Sequence, residues 1–163
     1  NMNNNLQFII DMELEGEAYY RRQAELKPNT PITAVSNMLA AEEKRHAMIV
    51  TSRLNGFPYQ LLETNISASG RSVFVGAADM GSDGTSRLSQ TEFYAIAAQK
   101  EQDSIDLYTS CLEKADNEAE RELFVYLIGQ EKQHFVLLDE LAALLRQADE
   151  WVEDAEFGNR KEY

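Results

Sequence analysis

Residues 41–46 read AEEKRH and residues 130–134 read QEKQH, so in both segments a glutamate precedes a histidine by three positions. The chain has only two histidines, His46 and His134, and each belongs to one of these Glu-x-x-His pairs. Residues three positions apart lie on the same face of an α-helix. Each pair therefore predicts a helix that presents a carboxylate and an imidazole side by side.

The two pairs belong to a longer repeat with an offset of 88 positions. The repeated residues are Glu13 and Glu101, Tyr20 and Tyr108, Glu43 and Glu131, and His46 and His134. Elsewhere the two halves share few residues, which indicates a repeated site more than a general fold pattern. A Glu-x-x-His pair alone is weak evidence in a chain with 28 acidic residues, but the matched spacing to Glu13 and Glu101 makes the pattern specific.

Apolar residues recur at helical spacing in four segments. Thr30 followed by Pro31 is typical of a helix start, and Ser89 with Glu92 forms a capping box that begins a later helix. The predicted helices span about residues 6–26, 31–55, 90–114 and 118–146. Because the loops within each pair of helices are short, we expect two antiparallel helix hairpins.

Two further segments complete the chain. Residues 57–88 are rich in glycine and serine and predict a long crossover between the hairpins. Residues 147–163 are acidic and are interpreted either as a short docking helix or as a disordered tail. The sequence thus predicts a single domain over residues 1–163, an all-α four-helix bundle with one long crossover.

Helix geometry brings the repeated acidic residues to one level. Glu13 lies about 14 residues before the first turn and Glu43 about 13 residues after it, so both lie roughly 20 Å from the same end of the hairpin. Glu101 and Glu131 repeat this arrangement in the second hairpin. Four carboxylates in an apolar interior would suffer desolvation and mutual repulsion. We therefore expect cations at the centre of the bundle.

The donor types indicate which cations fit. Two divalent ions would balance four carboxylates, and neutral imidazoles add ligands without charge. Oxygen-rich ligation with one nitrogen per metal suits iron or manganese, and zinc can take the same ligands without redox chemistry. We expect two iron ions.

Composition excludes several other functions. The formal net charge of −13 would repel nucleic acid phosphates and anionic membrane surfaces. Cys111 is the single cysteine, so neither an internal disulfide nor a four-cysteine iron site can form. No apolar stretch approaches the roughly 18 residues of a membrane span, and the first residues lack signal-peptide features. We expect a cytoplasmic protein that binds neither nucleic acid nor membrane.

With these residues the chain resembles the ferritin-like superfamily, and most closely its rubrerythrin-like members. The resemblance rests on residues 12–20 (MELEGEAYY), 41–46 and 130–134, and it covers about residues 6–146. It implies a ferritin-like bundle and a role for each repeated residue. The implied roles are bridging ligands for Glu43 and Glu131, terminal ligands for Glu13 and Glu101, single-metal ligands for His46 and His134, and hydrogen-bond donors to the ligands for Tyr20 and Tyr108.

The resemblance also implies an activity. It is that of a non-haem di-iron oxidoreductase that reacts with hydrogen peroxide or O2 and takes electrons from an external donor protein. Rubrerythrins commonly carry a further glutamate where Ser104 stands, so peroxidase chemistry by ligand exchange would lack that residue here. Bacterioferritins carry a haem-binding methionine where Lys44 stands, so we expect no haem.

Two other functions are compatible with the same six ligands. One is a ferroxidase or iron-storage subunit, and the other is a metal-stabilised binding or structural bundle without turnover. In each case we expect a homodimer or a larger homo-oligomer.

Overall fold

The computed structural model describes residues 1–78 and 87–158. The regular elements in these two ranges are all helices, which confirms the predicted all-α class. The helices are α1 (Met2–Leu26), α2 (Pro31–Asn55), α3 (Ile66–Ala78), α4 (Arg87–Glu113) and α5 (Glu118–Gly158). α1 packs along α2 and α4 packs along α5, so the long helices form two hairpins.

Local residues account for the turn of the first hairpin. Asn29 adopts a left-handed conformation with φ 60°, and the Thr30 hydroxyl donates to the Lys27 carbonyl over 2.7 Å. Pro31 is the first residue of α2, where its fixed φ suits a helix and its missing N–H needs no partner. α2 ends before Gly56, whose φ of 73° is a left-handed conformation that glycine adopts without a steric cost.

The second hairpin is closed by an asparagine cap. Asn117 accepts a hydrogen bond from the backbone N–H of Glu120 over 3.0 Å, and α5 begins between these residues. Glu118 and Glu120 place two carboxylates in the first turn, where they interact favourably with the helix dipole.

The crossover contains a helix, α3, that the sequence pattern does not predict. α3 packs against both α2 and α5. A Cβ atom at Gly70 would lie 2.5 Å from a Leu137 methyl carbon and 3.0 Å from the Met38 methyl carbon. The glycine and serine content of α3 disfavours a helix locally, but the close approach that Gly70 permits stabilises it by packing. Residues 79–86 of the predicted crossover lie outside the described residues.

The last helix is longer than predicted. α5 continues through Gly158, whereas the predicted helix ends at 146. Residues 147–157 contain neither proline nor glycine, so the helix has no local reason to end before Gly158. Trp151 on this extension is 79% exposed. Residues 159–163 of the predicted tail lie outside the described residues.

Two apolar clusters fill the bundle. Leu39 of α2 and Leu138 of α5 belong to one cluster, and Val50 of α2 and Leu127 of α5 belong to the other. The Glu-x-x-His pairs lie between these leucine and valine positions on both helices. The predicted ligands therefore form a polar layer between two apolar clusters. Within residues 1–78 and 87–158, none of the helices combines the length and apolar character that a membrane span requires.

Candidate metal centre

The bundle brings all six predicted ligands together. α1 contributes Glu13, α4 contributes Glu101, and α2 and α5 each contribute a glutamate and a histidine. All six side chains belong to residues that are at most 5% exposed: Glu13, Glu43, His46, Glu101, Glu131 and His134. Side chains this polar are rarely buried without partners, so the cluster requires an electrostatic explanation.

The ligand atoms form two overlapping groups. Glu13 and His46 belong to one group and Glu101 and His134 to the other, and both groups include Glu43 and Glu131. Within each group the ligand atoms lie within 4.8 Å of one another. The geometry thus fits two ions that share two carboxylates.

The two histidines face the shared carboxylates through the same ring nitrogen. The Nδ1 atom of His46 lies 3.1 Å from Oε1 of Glu131, and the Nδ1 atom of His134 lies 3.1 Å from Oε2 of the same carboxylate. His134 Nδ1 also lies 3.3 Å from Glu43 Oε1. The imidazole rings stack with centroids 5.5 Å apart and an angle of 12° between their planes. One oxygen of Glu131 is therefore available on the side of each histidine.

Burial and mutual repulsion shift the ionisation of the shared carboxylates. Burial, together with the negative charges of Glu101 and Glu13, raises the pKa of Glu131 to about 8. Burial and the neighbouring carboxylates also raise the pKa of Glu43 well above its ordinary value. Without metal, the Glu131 carboxyl group therefore holds a proton at neutral pH, and ionisation of Glu43 is disfavoured.

The pKa values of the two histidines shift upward, whereas the pKa of a buried imidazole in an apolar site shifts downward. Burial alone would lower the pKa of His46, but the carboxylates of Glu13 and Glu131 outweigh burial and raise the pKa to about 10. The pKa of His134 is raised well above its ordinary value because Glu101 and Glu131 outweigh its burial. Protons therefore supply the positive charge in the metal-free cluster.

Several ligand atoms have unmet hydrogen-bonding capacity. Among the described residues, no partner in hydrogen-bond geometry is found for one carboxylate oxygen each of Glu13, Glu43 and Glu131, or for either ring nitrogen of His134, so the 3.1 Å approach of His134 Nδ1 to Glu131 Oε2 is not a hydrogen bond. Buried polar atoms in native proteins are nearly always paired with protein, water or an ion. Four carboxylates and two imidazoles fit two divalent cations in charge, and their chemistry suits iron or manganese.

Both tyrosines of the repeat donate a hydrogen bond to a carboxylate of the other hairpin. Tyr20 Oη donates to Glu101 Oε1 over 2.6 Å, and Tyr108 Oη donates to Glu13 Oε1. Burial and the adjacent carboxylate raise the pKa of each tyrosine well above its ordinary value, so the hydroxyls stay protonated. The pair thus holds the two terminal glutamates in place and links α1 to α4.

A polar network behind the histidines was not predicted from the sequence. Glu42 Oε2 lies 3.7 Å from His134 Nε2, and Arg45 Nη2 lies 3.5 Å from His46 Nε2. Arg45 also forms an ion pair with Glu42 at 2.9 Å. Although burial opposes ionisation, His134 and Arg45 lower the pKa of Glu42 to about 2, so this carboxylate is ionised. A carboxylate thus lies beside the outer nitrogen of His134 and a guanidinium beside that of His46, and the ligand atoms of Glu42, His46 and His134 lie within 4.8 Å of one another.

Contacts from other elements hold this network. Arg45 donates to Tyr126 Oη over 2.6 Å and to Gln130 Oε1, and the Thr64 hydroxyl donates to Gln130 Oε1 over 3.1 Å. The repeat could not reveal the network, because position 130 is a glutamine where position 42 is a glutamate. The only local signal was the charged run of residues 42–46 next to the predicted ligands.

Comparison with known proteins agrees with the geometry of the site. The family described as Rubrerythrin has a sequence model that matches residues 4–142, and this range includes all six residues of the cluster. No curated protein and no solved structure matches the chain.

Proposed function

Because the chain belongs to the rubrerythrin family, we propose that it is a non-haem di-iron oxidoreductase. It reduces hydrogen peroxide or O2 and receives electrons from an external donor protein. The observation that carries this proposal is the pair of overlapping ligand groups, in which Glu43 and Glu131 are common to both. A shared pair of carboxylates allows two metals to act together on one oxidant.

Each residue of the cluster has a defined part in holding the metals. Glu43 and Glu131 would help to hold both ions, and the remaining four residues would bind one ion each. Glu13 and His46 would hold the first ion, and Glu101 and His134 would hold the second. Two divalent ions replace the protons that balance the carboxylates in the metal-free cluster.

The redox step balances with two irons. A bound pair of ferrous ions would supply the two electrons needed to convert one hydrogen peroxide and two protons into two waters, and an external donor protein would return those two electrons. The tyrosine hydroxyls keep their protons because burial raises their pKa, so they orient Glu101 and Glu13 without adding negative charge. The apolar clusters lie on either side of the site along the helices, so they limit access of water from the two ends of the bundle.

Rapid mixing tests this proposal. Protein loaded anaerobically with Fe(II) is mixed with hydrogen peroxide in a stopped-flow instrument, and iron oxidation is followed by absorbance. We expect two irons per chain and oxidation much faster than that of free Fe(II). Glu131→Gln should bind less iron and lose this acceleration, whereas Glu118→Gln, at an exposed ion pair with Arg121, should behave as the wild type. Wild-type protein that binds two irons and oxidises no faster than free Fe(II) would contradict the proposal.

The same experiment separates the oxidoreductase from the ferroxidase alternative. An oxidoreductase keeps its iron after oxidation, and a chemical reductant restores the ferrous form for a second turnover. A ferroxidase releases Fe(III) from the site for storage, so the iron content of the site falls after each oxidation. We expect retention of both irons.

A further inference from the structure

A pocket connects the candidate metal centre with the surface between α1 and α4. It has a volume of about 200 Å³, and its lining includes Gly16 and Tyr20 on α1, Ser104 on α4, and the ligands Glu43 and Glu101. α3 packs against α2 and α5, so it does not lie over this side. We propose that this pocket is the route by which a small uncharged oxidant reaches the metals, and that Gly16 determines its width. This inference rests on the proposed function and names its substrate class.

Gly16 lies directly over a shared ligand. A Cβ atom at this position would lie 3.5 Å from both Cγ and Oε2 of Glu43, which is an ordinary van der Waals distance. A methyl group therefore fits, and close packing does not require the glycine. A glycine inside a helix costs about 1 kcal/mol relative to alanine. The open space that Gly16 leaves above Glu43 gives a functional reason for this cost in helix stability.

The opposite wall of the pocket is also formed by a small side chain. Ser104 Oγ donates to the Lys100 carbonyl over 3.2 Å and lies 4.0 Å from Met12 Sδ on α1. The serine hydroxyl is thus held against its own helix and reaches α1 at the Met12 thioether. A larger side chain at either Gly16 or Ser104 would enter the space between the two helices.

Size and charge define the class of molecule that can enter. The volume is below the roughly 300 Å³ at which pockets for drug-sized ligands begin, so the pocket suits a small oxidant. Glu15 and Asp103 line the pocket with Lys100, whose Nζ lies 4.5 Å from the centre of the Tyr19 ring. The three charges sum to −1 in a chain of net charge −13, which repels anions and leaves O2 and hydrogen peroxide unaffected.

The experiment uses nitric oxide as an uncharged probe and azide as an anionic probe of Fe(II)-loaded protein. Binding rates are measured by stopped-flow absorbance for wild type, Gly16→Ala, Gly16→Leu and Ser104→Leu. Gly129→Leu is the matched control, because within the described residues no atom lies within 4 Å of a Cβ placed at this exposed α5 glycine. Iron content per chain and the thermal midpoint show whether each variant keeps its fold and metals.

We expect Gly16→Leu and Ser104→Leu to keep two irons and to bind nitric oxide at least about tenfold more slowly than the wild type. Gly16→Ala should be intermediate, and Gly129→Leu unchanged. Added salt should speed azide binding to the wild type and leave the nitric oxide rate unchanged, because it screens the acidic lining.

Two results would overturn the inference. One is that Gly16→Leu or Ser104→Leu retains its iron and binds nitric oxide as fast as the wild type does. The other is an azide rate that does not respond to salt. Because probe binding requires no turnover of peroxide, these results are independent of whether the proposed reaction occurs.

Discussion

Replacing Tyr20 by phenylalanine removes one hydroxyl group from the candidate metal centre and keeps the aromatic ring. The hydroxyl donates to Glu101 Oε1 over 2.6 Å, and both side chains are buried. A hydrogen bond to a charged group contributes about 1.5–3 kcal/mol to stability. Because the pair is shielded from solvent, we expect the full value to be lost from the free energy of unfolding of the metal-free protein.

This loss corresponds to a measurable change in thermal stability. For a chain of this size, each kcal/mol shifts the unfolding midpoint by about 2–4 °C, so Tyr20→Phe should lower it by roughly 3–12 °C. Urea titration followed by far-UV circular dichroism measures the free energy, and a thermal scan measures the midpoint. Tyr108→Phe should have a similar effect, because Tyr108 makes the equivalent bond to Glu13.

Tyr19→Phe is the matched control for this prediction. Tyr19 is only half-buried, and its ring, against which Lys100 packs, is kept in the variant. If Tyr20→Phe destabilised the metal-free protein no more than Tyr19→Phe, the bond between Tyr20 and Glu101 would not contribute as we have argued.

Three further predictions concern metal binding and packing. Metal binding at pH 7 should release protons, because the pKa of His46 is raised to about 10 and its Nδ1 must lose a proton to bind a metal. Titration calorimetry in buffers of different ionisation enthalpy should show this release. The apparent affinity for metal should also rise between pH 6 and 8. Glu42→Gln should weaken one of the two metal sites by about 10–100-fold, because the Glu42 carboxylate lies 3.7 Å from the outer nitrogen of His134 and Glu42 is not one of the six predicted ligands. Stepwise cobalt titration measures this loss, and equal weakening of both sites would contradict it. Gly70→Val should lower the free energy of unfolding by about 1–3 kcal/mol without changing metal content, because the added Cβ would lie 2.5 Å from a Leu137 methyl carbon. Unchanged stability in a urea titration would show that α3 does not pack as described.

The candidate site could be predicted because the positions of its residues follow from local helix geometry. The spacing of Glu43 and His46 on one helix face, and its repetition at Glu131 and His134, depends only on helical periodicity. The level of Glu13 relative to Glu43 follows from the rise per residue in a short hairpin. The level of the ligands within each hairpin therefore does not depend on how the two hairpins pack against each other.

The remaining features depend on tertiary contacts that no local pattern encodes. α3 is stabilised where Gly70 approaches Leu137, and its glycine- and serine-rich sequence predicts a loop when considered alone. Arg45 reaches Tyr126 and Gln130 on another helix, so the network behind the histidines cannot be derived from either helix separately. The extension of α5 was missed because acidic residues without an apolar stripe are equally typical of disordered tails.

The most direct measurement is a crystal structure of iron-reconstituted protein with anomalous data collected at the iron absorption edge. Our account predicts two anomalous peaks in each chain, one beside His46 and one beside His134, with Glu43 and Glu131 contacting both. A map with no pair of cations in the bundle, or with these side chains turned towards solvent, would contradict the account.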